Sequence, residues 1–258
     1  MEVHAHTHTA RKKWTHYLWE FLMLFLAVFC GFLAENQREH YIEKIRAKQY
    51  ARSLVNDLKK DTMMVNRRIE EMKSSNRWTD SLIKFFNNKP VEQIRNIDLF
   101  LLTSEDELYS PYAWRRATLE QIKNSGSLRY FSNDSIINQI TSYDAFTHHM
   151  DEDYNGDEER SNRAVEKRNQ IVDLNYPPEI LSGYRSNKDS LMKTDLFNEM
   201  NIKGPRLLTS NLNDIKKYMN EKLTIRQYFE SRAERELPRL IKRAEELIIL
   251  LKEEYHLK

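Results

Sequence analysis

A chain of 258 residues with 40% apolar and 31% charged residues is lean for a thick core and suits thin helical bundles whose outer faces are solvated. Its net charge of +2 is spread evenly, which argues against nucleic acid as the main partner, because such proteins concentrate a basic face. The single cysteine, Cys30, excludes an intramolecular disulfide, and five glycines with little β-branched alternation leave helix as the expected element.

Residues 1–13 read as a flexible, His-rich basic tail. His4, His6 and His8 alternate within it, a string that binds a transition metal loosely at best, since neutral imidazole is a ready ligand. Residues 14–34, WTHYLWEFLMLFLAVFCGFLA, are the one segment apolar enough to leave water. From Tyr17 to Ala34 the only ionisable residue apart from Cys30 is Glu20, and the run reaches roughly 27 Å as a helix, just enough for a bilayer core of about 30 Å. Arg11, Lys12 and Lys13 beside Trp14, Tyr17 and Trp19 place a cationic anchor next to an aromatic belt.

A secretory signal has the same basic-then-apolar order, but Phe32 spoils an A-x-A-like site ending at Ala34. Phe29 likewise stands where lipoprotein processing at Cys30 wants a small side chain. An uncleaved anchor is therefore the expectation. Glu20 has His16 one turn back and reads as an interfacial residue, with a partner-helix contact or proton transfer as the alternatives. Glu20, Ala27 and Ala34 are spaced by seven with Leu24 and Gly31 between them, and the small residues at 27, 31 and 34 form a seam along which a second helix could approach.

Residues 35–258 read as a helical soluble domain. Ala51, Leu54, Leu58, Thr62, Val65, Ile69 and Met72 recur at steps of three and four, so the membrane helix is expected to continue into a first core helix near 35–75, ending about Ser74–Asn76. Short helices follow at Trp78–Asn87 and Val91–Thr103. Ser110–Pro111 then caps a helix over Tyr112–Asn124, and Gly126 suits its left-handed end. Asn133–Asp134 starts another helix that carries Ile136, Ile140, Tyr143 and Met150 inward, so Pro111–Met150 reads as a helical hairpin.

The polar patch HHMDEDYNGDEERSNR reads as an acidic break in that helix, with Tyr176–Pro177–Pro178 ending the part beyond it and a loop up to Lys188. Asp189–Asn201 is a short helix stopped by Gly204–Pro205. Thr209 or Ser210 caps a long segment with Leu212, Ile215, Met219, Leu223 and Phe229, and Pro238 must kink or restart it. The fold class expected is all-α: one N-terminal transmembrane helix continuing into an elongated antiparallel helical bundle.

Asp151-x-Asp153-x-Asn155–Gly156 opens like a calcium loop, in which alternating oxygens converge and glycine permits the turn. The twelfth position is Asn162 rather than a bidentate acid, and the eighth is Glu158 rather than apolar, so a solvated acidic stretch is the stronger reading. His148 and His149 point to different faces and would need outside partners to hold zinc. Arg226, Tyr228 and Arg232 have acidic neighbours that make a solvated face the better account. No Gly-rich phosphate loop, G-x-S-x-G or H-E-x-x-H occurs, and no catalytic, cofactor or metal residue is assigned.

The His-rich start, Lys12–Lys13–Trp14, Glu20–Phe21, FLAVFCGFLAEN at Phe25–Asn36 and Ser53–Leu54…Asp57–Leu58…Asp61 together resemble a family of uncharacterised bacterial single-span membrane proteins. The Asn124–Leu128 turn is similar to one in related families. The resemblance implies a bacterial envelope protein and brings no known activity. The expected function is a non-enzymatic, membrane-anchored helical module for protein–protein interaction or assembly at the bacterial inner membrane. A ligand- or ion-sensing domain outside the cytoplasm is the alternative. The lipid bilayer and a protein partner or second copy are the partners implied. Arg11–Lys13 favour a cytoplasmic N-terminus and a periplasmic domain, against Arg38, Lys44, Arg46, Lys48 and Arg52.

Overall fold

The computed structural model describes residues 14–103 and 110–258, except Asn187 and the side chains of residues 184–189. Among them there is no β-strand, only an isolated bridge between Arg95 and Arg206. The expected all-α class holds. His4, His6 and His8 lie outside the described residues.

Helix α1, Trp14–Asn88, runs 75 residues without interruption. Every residue from Trp14 to Tyr41 is exposed, and the first fully buried one is Ala47. It contains one stretch long and apolar enough to cross a membrane, none of it buried. The anchor segment and the first core helix are thus one object, as the unbroken periodicity implied. The helix overruns the stop expected at Ser74–Asn76, and the separate helix Trp78–Asn87 is its last part. The reason is packing: Met72, Thr79 and Leu82 keep the inward stripe going, and that burial outweighs the weak helix preference of Ser and Asn.

Three rods make the bundle. The second is α4, Asp134–Asn169, started by Asn133, whose side chain accepts the Ser135 N–H at 2.9 Å. The third joins α8, Leu212–Ser231, through a π-helical turn at Arg232–Glu236 to α9, Leu237–Tyr255. The restart expected at Pro238 is there, directly after the π turn. The proline lies in the first turn of α9, where the widened π turn absorbs its missing N–H.

Cross-contacts fix the directions. Arg226 pairs with Asp80 and the ring of Phe131 meets Tyr255, so the third rod runs antiparallel to α1 and α4. Asp61 meets Tyr143 and Arg68 lies one or two turns further on, opposite Tyr154, so α1 and α4 are parallel to each other. α1 packs along α9, and Ala47, Ala51, Leu54 and Leu58 of the first and Ala244, Leu247 and Leu251 of the second are all buried. Each buried leucine stabilises the bundle by about 2 kcal/mol.

The chain returns from the far end of α1 in short pieces. A 3-10 turn at Val91–Gln93 and α2, Asn96–Thr103, replace the single helix expected over Val91–Thr103. The helix expected from Tyr112 starts only at Ala117, as α3, Ala117–Asn124. Two buried groups of α1 hold the preceding backbone in non-helical form. Arg68 donates to the carbonyls of Ser110 at 2.5 Å and Pro111 at 3.0 Å, and Asp61 accepts the Arg115 N–H at 2.9 Å. A helical Tyr112–Arg116 would have to break these bonds.

Gly126 ends α3 at φ +67°, the left-handed conformation expected of it. Its absent Cβ would meet nothing within 4 Å, so only backbone strain opposes a side chain there. Gly126→Ala is expected to cost about 1 kcal/mol, read from urea denaturation midpoints with an unchanged slope.

The acidic patch does not break α4, which runs straight through it. Beyond it, α5, Pro178–Ser186, occupies the interval expected to be loop, with Pro178 at its first position, where a missing N–H costs nothing. The helix expected at Asp189–Asn201 is divided into α6, Lys188–Leu191, and α7, Asp195–Lys203, because Thr194 caps a fresh start by accepting the Phe197 N–H. Asn211, not Thr209 or Ser210, caps α8.

Candidate functional site

Besides Asn96 of α2, which bonds the Tyr176 hydroxyl and the Asp173 backbone, three groups of buried polar side chains face α4 among the described residues. The first is the acidic patch itself. Because α4 is helical there, Asp151, Asp153 and Asn155 do not converge as a calcium loop requires, and Gly156 has no left-handed backbone. Asp151 instead accepts the Trp114 indole N–H at 2.8 Å and the Arg116 guanidinium at 2.6 Å. Asn155 is exposed.

Asp153 and Asp157, one turn apart, face the π turn. Arg232 reaches Asp153 at 2.5 Å, Asp157 at 2.6 Å and Glu236 at 3.1 Å, while Arg160 also reaches Asp157 at 3.1 Å. Burial pulls the Arg232 guanidinium down, but the carboxylates of Asp157, Asp153 and Glu236 hold its pKa above the ordinary value. Asp153 is pushed up, by burial first, with Arg232 and His149 opposing. His149, Asp153 and Glu236 bring ligand atoms within 4.8 Å of one another, a spacing a metal could use. The Arg232 guanidinium already bonds both carboxyl groups of that trio. A second cation would meet its charge at contact distance, so the cluster is an arginine-centred clamp.

The other histidine of the pair, His148, turns to Asp144 at 3.6 Å. The two adjacent imidazoles therefore serve different faces, as their spacing implied. His16 and Glu20 do meet, at 3.2 Å, both half-exposed. Leu24, Ala27, Gly31 and Ala34 are exposed along their whole seam. Of the basic trio, Arg226 is engaged by Asp80, Arg232 is buried, and Tyr228 is covered by the Arg160 guanidinium at 3.7 Å from its ring centroid.

The second place lies on α1. Asp57 accepts the Thr118 hydroxyl at 2.5 Å, and buried Asp61 accepts the Tyr143 hydroxyl at 2.9 Å. This pair ties α1 to α3 and α4.

The third is a cleft of about 240 Å³ between α4 and α8, with Thr103 of α2 also in its lining. Arg168 and Lys222 line it, 5% and 4% exposed, with Tyr218 beside them at 2%. Ser161 and Asn162 add polar atoms, Ala164, Val165 and Ile225 an apolar wall, and Glu158 stands at the exposed rim. Burial pushes the Lys222 ammonium down to about 7 and lowers Arg168 as well, with Tyr218 opposing in the latter case. Tyr218 itself is pushed up by burial.

None of these three residues was singled out by the sequence reading. Their signal was present in the α8 stripe, which is Ile215, Tyr218, Lys222, Ile225 and Phe229, at steps of three and four with a lysine inside it. The alternative stripe through Leu212, Met219 and Leu223 is apolar but largely solvent-facing.

A lysine that holds fewer protons folded than unfolded makes stability rise with pH between its two pKa values, here from about 7 to 10.5. Lys222 is expected to contribute a slope of up to about 1.4 kcal/mol per pH unit in that window. Urea midpoints measured from pH 7 to 9 should climb in the parent chain and climb less in Lys222→Met.

No family model, curated protein or solved structure matches the chain.

Proposed function

We propose that this chain is a non-enzymatic, membrane-tethered helical module that holds its bundle at a fixed distance from a bilayer and engages a protein partner or a second copy there. The carrying observation is the single helix α1, apolar and exposed at its start and central to the core after Ala47. From Glu35 to Tyr41 it is a bare helical stalk of about 10 Å, with Arg38 and Glu35 paired on its surface. A rigid stalk of this kind transmits rotation or tilt of the anchor to the bundle, which a flexible linker cannot do. The small-residue seam is where a second membrane helix would pack, since Gly31 has open space around its missing Cβ. In keeping with the resemblance, the membrane is the bacterial inner membrane, the N-terminus is inside and the domain is periplasmic.

Crosslinking of the full-length chain in native membranes tests this reading. A discrete complex with a partner or with itself is expected, and Ala27→Leu with Gly31→Leu should weaken a self-complex. A chain that remains monomeric and uncrosslinked overturns it. Protease treatment of sealed spheroplasts checks the orientation: the bundle should be digested, and a protected bundle reverses the assignment.

A second reading, ligand sensing outside the cytoplasm, is favoured by the α4–α8 cleft, where two cationic side chains are taken out of water. Such burial costs several kcal/mol per ion before compensation.

A further inference from the structure

We propose that the anchor-facing end of the bundle rests on the bilayer surface, where Arg46 of α1 and Arg129 of the turn after α3 hold the phosphates of anionic lipids. The contact rests on the membrane-tethered reading and adds to it the surface beneath the bundle.

Contacts with α1 identify that end. The 3-10 turn Ser127–Tyr130 packs against the helix, and the Arg46 guanidinium reaches the Tyr130 hydroxyl. Phe131 meets the ring of Tyr255, and Asn133 reaches Glu254 at 3.2 Å, so the start of α4 and the end of α9 lie at the same level. About 18 Å of helix separate Arg46 from Ala34. The headgroup layer takes up roughly 5–7 Å of that length. An extended arginine spans much of the remainder, and what is left is within the Debye length of about 8 Å. It is also narrower than one helix with its side chains, about 10 Å, so headgroups rather than a protein partner fill the space.

The chemistry at this end suits a phosphodiester. Arg129 lies over the Tyr130 ring, 5.4 Å from its centroid. The two guanidiniums, Arg46 first and Arg129 next, hold the Tyr130 phenol below its ordinary pKa, with burial opposing. A phenol supplies a lone pair but no full charge, and no ion pair engages either arginine among the described residues. Two positive charges from separate elements thus converge on one neutral group. Of the acids at this end, Glu43 faces His40 at 3.3 Å and Glu254 faces Asn133. Lys44, Lys48 and Lys258 stand exposed at the same end. The guanidinium fork matches the paired oxygens of a lipid phosphate, and an anionic leaflet draws such juxtamembrane cations to it.

The test places the full-length chain in nanodiscs of phosphatidylcholine, with or without phosphatidylglycerol, and follows hydrogen exchange in the peptide covering residues 127–131. Opening the turn must first release the lipid, so exchange should slow by about fivefold in the anionic discs and recover at high salt. Arg46→Gln with Arg129→Gln should erase the difference between discs, while the corresponding lysine pair should keep most of it. Arg77→Gln, roughly 46 Å further along α1, should leave it intact. Circular dichroism melts confirm that each variant is folded. Equal exchange in the two kinds of disc overturns the proposal and leaves the anchor standing. Slowing that survives the glutamine pair overturns it as well, as does equal slowing by inorganic phosphate in phosphatidylcholine discs, which would make the site one for a free anion. A chain that elutes apart from the discs overturns the membrane-tethered reading and this contact with it.

Discussion

Arg232→Met is expected to destabilise the bundle by about 3 kcal/mol and to lower the melting temperature by roughly 6–12 °C. The guanidinium is 3% exposed and bonds Asp153, Asp157 and Glu236, which come from two rods. Removing one partner of a buried ion pair costs about 3–5 kcal/mol, because the charge left behind has neither water nor a cation. The lower end applies because Arg160 still reaches Asp157. Replacing both sides, as in Arg232→Met with Asp157→Leu, should recover more than half of the loss, since a buried pair is often matched by well-packed apolar groups. The deficit of the single variant should also shrink on acidification, as protonated carboxyls no longer need a cation. If the single and double variants melt together, the clamp is not what joins α4 to the π turn.

The π turn explains why this region was only partly legible. Periodicity located α8 and α9 and Pro238 marked the junction between them, but an extra residue per turn leaves no pattern in side-chain type. What the turn does is rotate Arg232 into the core at the position where Phe229, Ala233 and Leu237 are buried. The same limit applies to α1, where an apolar stripe through Thr62 was traced although Asp61 is the buried neighbour and Thr62 is half-exposed. Charged residues at stripe positions, namely Asp61, Arg68, Lys222 and Arg232, read as solvated until the partner across the bundle is known. Helix class, the continuity of anchor and core, and the Gly126 and Asn133 termini depend on neighbours in sequence, so they were readable. The extended segment before α3 and the unbroken α4 depend on contacts tens of residues away, so they were not.

Those long-range contacts make Asp61→Ala the second large effect, with an expected loss of about 2–4 kcal/mol. The carboxylate is 3% exposed and serves two donors, the Arg115 N–H and the Tyr143 O–H, each at 2.9 Å. Alanine fits the space but leaves both donors without an acceptor, and each buried unsatisfied group costs about 1–3 kcal/mol. Asp61→Asn should behave differently. Its amide oxygen can accept the Arg115 N–H, and its NH₂ can donate to the Tyr143 oxygen, so a loss of about 1 kcal/mol or less is expected.

The pH dependence separates the two variants further. Burial pushes the Asp61 carboxyl above its ordinary value, with the Arg115 N–H and the Tyr143 hydroxyl opposing. The folded chain therefore binds this proton more tightly than the unfolded one. Stability from this group is full below the unfolded pKa and is lost as pH rises through the folded one. Asparagine cannot titrate, so the Asn variant should lose less than the parent across that interval, and its deficit at neutral pH should narrow or vanish. Hydrogen exchange supplies the local readout: the Arg115 amide should exchange rapidly in Asp61→Ala and stay protected in Asp61→Asn. Protection in both would mean that Arg68, through the Ser110 and Pro111 carbonyls, is enough to hold the returning chain against α1.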